Sequence, residues 1–243
     1  MTEIPWVQIF LDVPRATWQE SLEFWPAATG WSASPTRGEA GQFATLQPAH
    51  GRGWVKLQAV DGPPRVHVDL DAPDRAAAQR RSSSLGAVHE WTYEGVPVMR
   101  SPGGLLFCHT VEPAGVLDRS DPLRVLDQVC IDIPADRWEG EVAFWRDLTD
   151  RDLTKGGEPE FSFLGAEGAV RILLQRLEES SGPVRAHVDF AVADREHEAD
   201  RHLALGAKLV AAQRWWTVLE APDGQVYCLT DRDPVTGGVR RKA

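Results

Sequence analysis

The 243-residue chain repeats itself at one fixed offset, and no other feature of the sequence restricts the fold so strongly. Gln8 matches Gln128, Trp18 matches Trp138, Phe24-Trp25 match Phe144-Trp145, and Pro63 matches Pro183. Further on, Arg65, His67, Val68 and Asp69 match Arg185, His187, Val188 and Asp189; Leu85-Gly86-Ala87 match Leu205-Gly206-Ala207; Gly104 and Cys108 match Gly224 and Cys228. Every pair is 120 positions apart. Chance supplies one or two such pairs, but a register held from end to end marks duplication of a complete unit. Two copies of ordinary domain size follow, residues 4–113 and 124–232. A linker at 114–123, rich in breakers such as Gly115, Asp118, Asp121 and Pro122, joins them.

Within each copy the hydrophobic period switches between two and 3.6. Val7, Ile9, Leu11 and Val13 alternate as a half-buried strand requires, and Val129, Ile131 and Ile133 repeat the pattern. Pro14 and Pro134 suit a first helical turn, and Trp18, Leu22, Trp25 and Trp138, Val142, Trp145 fall at i, i+4, i+7 on one helix face. Short strands are expected around 40–47 and 53–60, and around 159–165 and 169–177. The cycle then restarts. A strand at 65–71 or 184–192 leads to Asp74 or Asp194 as N-cap, and to a helix closed by Gly86 or Gly206. Pro102-Gly103-Gly104 and Pro222-Asp223-Gly224 mark a hairpin before the last strand. Each copy reads βαβββ-βαβββ, an α+β module.

Charge and cysteine usage narrow the partners. With 36 acidic against 26 basic side chains, the formal charge of −10 repels phosphate backbones and anionic lipid alike. The one basic cluster is the short tail Arg240, Arg241, Lys242. Nucleic acid and membrane are not expected partners. The start lacks the basic and apolar regions of a signal peptide, and no stretch approaches the roughly 20 apolar residues of a membrane span. Cys108, Cys130 and Cys228 form no CxxC pair and cannot all be paired within one chain, as expected of reduced thiols in a cytoplasm.

The order WVQIFLDVP and LDQVCIDIP, then FW, RVHVDLDAPD and RAHVDFAVAD, LGA, and SPGGLLFC and APDGQVYC resembles the vicinal oxygen chelate superfamily. That superfamily includes glyoxalase I, bleomycin-resistance proteins and extradiol dioxygenases. The resemblance runs from residue 6 to 231 and implies that each module curls an eight-stranded mixed sheet into a cup with helices outside. Catalytic members hold a divalent metal with His or Gln on the first strand, His on the fifth, and Glu four residues after the hairpin glycine. The matching positions are Gln8, His67 and Cys108 in copy one, and Gln128, His187 and Cys228 in copy two. The acidic ligand is replaced by cysteine twice. A thiolate binds Zn²⁺ but does not replace a carboxylate as ligand and proton acceptor, so no catalytic metal is expected.

Strand parity points to the same faces without the family. Val66, Val68 and Leu70 face the helices, so His67, Asp69 and Asp71 face inward, as do His187 and Asp189, Cys108 and Thr110, and Cys228 and Thr230. The candidate ligand-binding set is therefore Gln8, Gln58, His67, Asp69, Cys108, Gln128, Gln175, His187, Asp189, Trp215 and Cys228, with His67 and His187 the candidates for catalysis. Blander readings stand beside these. The histidines can bond to Asp69 or Asp189, Asp12 and Asp132 can cap turns, and the cysteines can be small core residues. Trp54, Trp91, Trp215 and Trp216 are the tryptophans placed to stack on a flat ligand. His197 and His202 imitate a zinc-protease motif with one residue too many; at i, i+5 they diverge by about 140°, which reads as a solvated helix face. Cys228 has no basic neighbour in sequence, which leaves a lowered thiol pKa unsupported.

Three functions remain open. One is a metal-free protein binding a small organic molecule in the cup. Another is a lyase, isomerase or hydrolase using His67 or His187 as acid or base. The third is a metal-dependent glyoxalase or dioxygenase, which requires the thiol or donors such as Asp12, Asp71 or Glu112 to ligate. A duplicated module reproduces a dimer within one chain, so a monomer or weak homodimer is expected. Phe10 against Cys130, and Asp71 against Ala191, give copy two the roomier cup on parity.

Overall fold

The computed structural model describes residues 4–165 and 170–240, so residue 169 of one expected strand and Arg241 and Lys242 of the basic tail lie outside the described residues. Copy one contains β1 (Trp6–Pro14), α1 (Trp18–Thr29), β2 (Ser32–Ala33), β3 (Phe43–Gln47) and β4 (Val55–Val60). It continues with β5 (Arg65–Asp71), α2 (Arg75–Ser84), β6 (Val88–Tyr93), β7 (Val96–Arg100) and β8 (Leu106–Thr110). Copy two repeats the series as β9 (Arg124–Ile133), α3 (Trp138–Thr149), β10 (Leu153–Lys155), β11 (Phe161–Leu164) and β12 (Arg171–Arg176). It ends with β13 (Arg185–Val192), α4 (Arg195–Ala204), β14 (Lys208–Ala212), β15 (Trp216–Glu220) and β16 (Val226–Thr230).

Two open eight-stranded sheets result, ordered β2-β3-β4-β1-β5-β8-β7-β6 and β10-β11-β12-β9-β13-β16-β15-β14. They are mixed, since β5 runs parallel to β8 and β13 to β16, while β3 with β4 and β7 with β8 are antiparallel. Among the described residues no helix is long and apolar enough to cross a membrane.

The predicted caps form. Asp74 accepts from the Ala77 N–H at 2.9 Å and Asp194 from the His197 N–H at 3.1 Å, and Gly86 and Gly206 follow their helices at φ 100° and 101°. The first-helix stripe is rotated from expectation. The buried side is Ser21, Phe24, Trp25, Ala28 and Thr29, with Trp18 and Leu22 only half-buried. In copy two the expected Val142 and Trp145 are buried and Trp138 is half-buried, although Pro14 and Pro134 alike precede a single 3₁₀ turn instead of entering the α-helix.

The densest packing mixes the two copies and cuts β1, β5, β9 and β13 in mid-strand. One compact unit holds β1 as far as Ile9 with His67–Gly115 and Val129–Ala186. In it Phe144 and Trp145 of α3 meet Phe107 of β8 at ring-centroid distances of 5.8 and 5.5 Å. The Glu141 carboxylate, 1% exposed, accepts from the Gly103 N–H and the Trp145 indole. The other unit holds Phe10–Val66, Val116–Gln128 and the chain from His187 onward. In it Phe24 and Trp25 of α1 meet Tyr227 of β16 at 6.0 and 5.3 Å, and Asp223 accepts from the Ser21 hydroxyl and the Trp25 indole. In each unit the first helix of one copy thus lies on the last strand of the other.

Burial holds the Glu141 and Asp223 carboxyls above the ordinary carboxylate range, against the hydrogen bonds they accept. A carboxyl whose folded pKa is raised burdens the folded state only while ionised. Stability is therefore expected to rise as pH falls from neutral through these raised values toward the ordinary range. Below that range it should drop, because Asp127 and Glu198 are held low. Their burial is outweighed by the charges of Arg232 and Arg119 on Asp127, and by hydrogen bonds from His202, Arg201 and Arg124 on Glu198. Urea midpoints measured against pH should show this mildly acidic maximum. The rise above the ordinary carboxylate range should flatten in the E141Q/D223N double variant.

Candidate functional site

Strand register assembles the inward residues. Because β5 pairs in parallel with β8, Asp69 lies beside Cys108 and Asp71 beside Thr110, and His67 shares their face two positions earlier. The ligating atoms of His67, Asp69 and Cys108 all lie within 4.8 Å of one another, and all three residues are buried. His67 Nε2 is 3.6 Å from Asp69 Oδ1. In copy two Asp189 is the partner of Cys228, and His187 Nε2 is 3.1 Å from Asp189 Oδ1 and 3.5 Å from Cys228 Sγ. Cys228 thus has a basic neighbour in space, contrary to the sequence expectation, because the neighbour comes from the adjacent strand.

The first-strand glutamines are both 2% exposed, and a single residue change decides where each points. Gln8 donates from Nε2 to Asp71 Oδ2 at 2.8 Å, and Asp71 also accepts from the Thr110 hydroxyl and the Glu112 N–H. Copy two has Ala191 where copy one has Asp71, and Gln128 donates instead to Asp189 Oδ2. That bond fixes Asp189 so that Oδ1 is the oxygen turned to His187.

The remaining candidates are placed less centrally. Gln58 and Gln175 lie half-buried on β4 and β12, opposite Phe43 and Phe161, and Gln175 Oε1 is 3.5 Å from Cys130 Sγ. Trp215 is half-buried with the Arg214 guanidinium 4.6 Å above its ring, so one stacking face is already covered. Trp91 sits on β6, an edge strand whose residues are all exposed. Trp54 is 1% exposed and packs edge-on against Trp31 at 6.3 Å, which makes it core and not a ligand platform. Asp12 forms an ion pair with Arg65 at 2.7 Å. His109 points away from Cys108, as parity requires, and burial, opposed by a hydrogen bond with the Leu70 backbone, pushes it down to about 4.

One correction concerns α4. His197 is exposed, as expected of a solvated face, but His202 is fully buried and Glu198 2% exposed, so the side carrying those two is not solvated. His202 Nδ1 meets the Tyr227 hydroxyl at 2.7 Å and Nε2 lies 3.3 Å from Glu198 Oε1. The i, i+4 spacing of Glu198 and His202 was the available signal, since it puts both on the side that meets the sheet.

Chemically, each cluster offers imidazole nitrogen, carboxylate oxygen and thiol sulfur. In copy two the carboxylate and the thiol both lie against the same nitrogen, Nε2. A nucleophile–histidine–acid relay needs its two partners on opposite ring nitrogens. This arrangement is not such a relay.

Comparison with known proteins gives consistent results. The family model described as "Glyoxalase-like domain" matches residues 8–110 and 128–230. No curated protein sequence matches. Among solved structures, the Mn(II)-bound glyoxalase from Novosphingobium aromaticivorans superposes with a TM-score of 0.66 at 17% identity, covering 95% of this chain and 83% of that one. The 2,3-dioxygenase LapB from Pseudomonas sp. KL28 gives 0.66 at 12% identity, covering 95% and 93%. An extradiol ring-cleaving dioxygenase from B. fuscum gives 0.66 at 14%, covering 100% and 75%. At these identities the structures share the fold alone, but the family match spans most of the chain and occurs once in each copy. The chain belongs to the glyoxalase-like domain family, within the vicinal oxygen chelate superfamily, as a tandem two-module member.

Proposed function

We propose that the protein binds a small organic molecule against the inner sheet faces around His67 and His187, and does so without a hard divalent ion of the Mn²⁺ kind. The observation that carries this reading is the buried thiol beside the inward imidazole in both copies. Hard ions such as Mn²⁺ prefer carboxylate, carbonyl and water oxygens, and a thiol in place of the carboxylate does not fit them. One structural neighbour is a Mn(II)-bound glyoxalase, and its ion does not suit this donor set. What remains is a buried face with a few convergent polar groups, the usual composition of a small-molecule site.

The test is a tryptophan-fluorescence titration of the full chain with flat aromatic and polar organic compounds in excess chelator. Saturable quenching by at least one compound is expected, unchanged by added Mn²⁺. It should weaken about tenfold in H187Q or H67Q, the value of one hydrogen bond near 1.4 kcal/mol. Binding that appears only when Mn²⁺ is supplied would sink the proposal. So would a crystal structure with both inner faces filled by side chains, together with no quenching by any compound.

A further inference from the structure

We infer that copy two holds a small planar monoanion of the carboxylate class, such as formate or acetate, on the guanidinium of Arg151, a residue that none of the inner-face sets contains. The reading above needs no such anion, and this one needs no ligand around His67 or His187. Arg151 is the second residue after α3. Asp150 closes that helix in the left-handed region at φ 55°, with its N–H on the Arg146 carbonyl at 2.9 Å, and Arg151 follows it into the interior at 7% exposure. Nη1 donates to the Val170 carbonyl at 2.9 Å, which fixes the group. Nε and Nη2 are closed off from solvent and have no hydrogen-bond partner. The N–H groups of those two atoms lie on one edge of the guanidinium and point the same way, as the fork that grips both oxygens of a carboxylate. The anchored nitrogen is the third one, so the whole bidentate edge is left over. Among the described residues no carboxylate pairs with it, and burial pushes the guanidinium down to about 10. A buried charge without a counter-ion is costly to a fold, and a bound anion removes that cost.

The repeat supplies an independent observation. The copy of position 151 is Trp31, which packs edge-on against Trp54 with ring centroids 6.3 Å apart. Trp54 lies four residues before Gln58, and the same step back from Gln175, which pairs with Phe161 as Gln58 pairs with Phe43, leads to Arg171. Both positions of an indole contact in copy one are therefore arginine in copy two. Apolar packing does not explain two cations there, whereas a negatively charged occupant does. One guanidinium neutralises one charge, so a doubly charged phosphate or sulfate would leave a net charge in the interior. The flat fork likewise favours two coplanar oxygens over a spherical halide.

The experiment is urea unfolding of the full chain at neutral pH, with sodium formate replacing sodium chloride at constant ionic strength, beside the NMR signal of the Arg151 Nε–H. Well above half-saturation, each tenfold rise in formate is expected to raise the folding equilibrium constant about tenfold, as one ion bound by the folded state alone requires. The Nε–H signal should shift along the same curve. R151M, which removes the charge, should fold and show no formate dependence. R151K keeps the charge without the fork and should weaken formate about tenfold. Acetate should act as formate does, and sulfate should not. No formate dependence in the unsubstituted chain, an equal dependence in folded R151M, or an equal effect of sulfate each overturns the inference. So does a dependence that appears only in E167Q, because the counter-ion would then be the chain's own Glu167, which lies outside the described residues. If R151M does not fold, R151K and the Nε–H signal of the unsubstituted chain decide. Quenching by organic compounds and its loss in H187Q or H67Q are unaffected by any of these outcomes, so the two readings fail separately.

Discussion

Replacing Asp127 with alanine is expected to lower stability by about 3–5 kcal/mol, the usual result of removing one partner from a buried ion pair. Asp127 is fully buried on β9. One oxygen accepts from Arg232 Nη1 and Arg119 Nη2, both at 2.7 Å, and the other from Arg232 Nη2 at 2.5 Å. Arg232 is itself only 5% exposed, so D127A strands a buried guanidinium as well as deleting the carboxylate. The same contacts tie two irregular segments to the strand. Arg119 comes from the linker and donates also to the Pro234 carbonyl, while Arg232 follows β16 and donates to the Thr230 hydroxyl. In a chain of this size the loss corresponds to a fall in Tm of roughly 10 °C. Urea or thermal melts near pH 7 decide it, and a loss below about 1 kcal/mol would show that linker and tail are held by other means.

That cluster also shows where sequence reading stops. Position 127 is the copy of Val7, and an aspartate there interrupts the apolar alternation of Val129, Ile131 and Ile133. The anomaly is visible in the sequence. Its partners are not, because nothing local says that residues 119 and 232 meet on one strand. The same division holds elsewhere. Strands, caps and hairpins were legible because they follow from periods and from single residues such as Asp74 or Gly86. The inward faces were legible because parity is a local rule, and it correctly grouped His67, Asp69 and Cys108. The contact between Cys228 and His187 was not, because it depends on a parallel pairing of strands far apart in sequence. The buried state of His202 and Trp54 depended likewise on which face meets which neighbour.

Installing aspartate at Gly103 is expected to destabilise the chain by several kcal/mol, and changing Glu141 to serine in the same molecule is expected to return much of that loss. The reasoning rests on the two helix-on-hairpin contacts, one in each compact unit. Each needs one carboxylate to accept the hydrogen bond of a buried indole, Trp25 or Trp145. In one unit the helix position is Ser21 and the hairpin position is Asp223; in the other the helix supplies Glu141 and the hairpin has Gly103. Positions 21 and 141 are repeat-equivalent, as are 103 and 223, so the repeat shows a reciprocal exchange. Room for only one carboxylate explains it. A Cβ at Gly103 would come within 2.8 Å of the Glu141 carboxyl carbon and 2.4 Å of Val184 Cγ2. A second charge there would also face a carboxyl that burial has already raised, at a site with one indole donor to share. Overpacking alone costs about 1–3 kcal/mol, and an uncompensated buried charge adds to it. In the G103D/E141S double variant the crowding at Glu141 and the charge conflict disappear, leaving the contact with Val184 as the residual cost. E141S alone should also destabilise, because it leaves the Trp145 indole and the Gly103 N–H without their acceptor. The double variant should therefore be more stable than G103D alone, with a coupling above about 1 kcal/mol in a double-mutant cycle of urea midpoints. Strict additivity of the two changes would mean that the exchange at these positions is accidental.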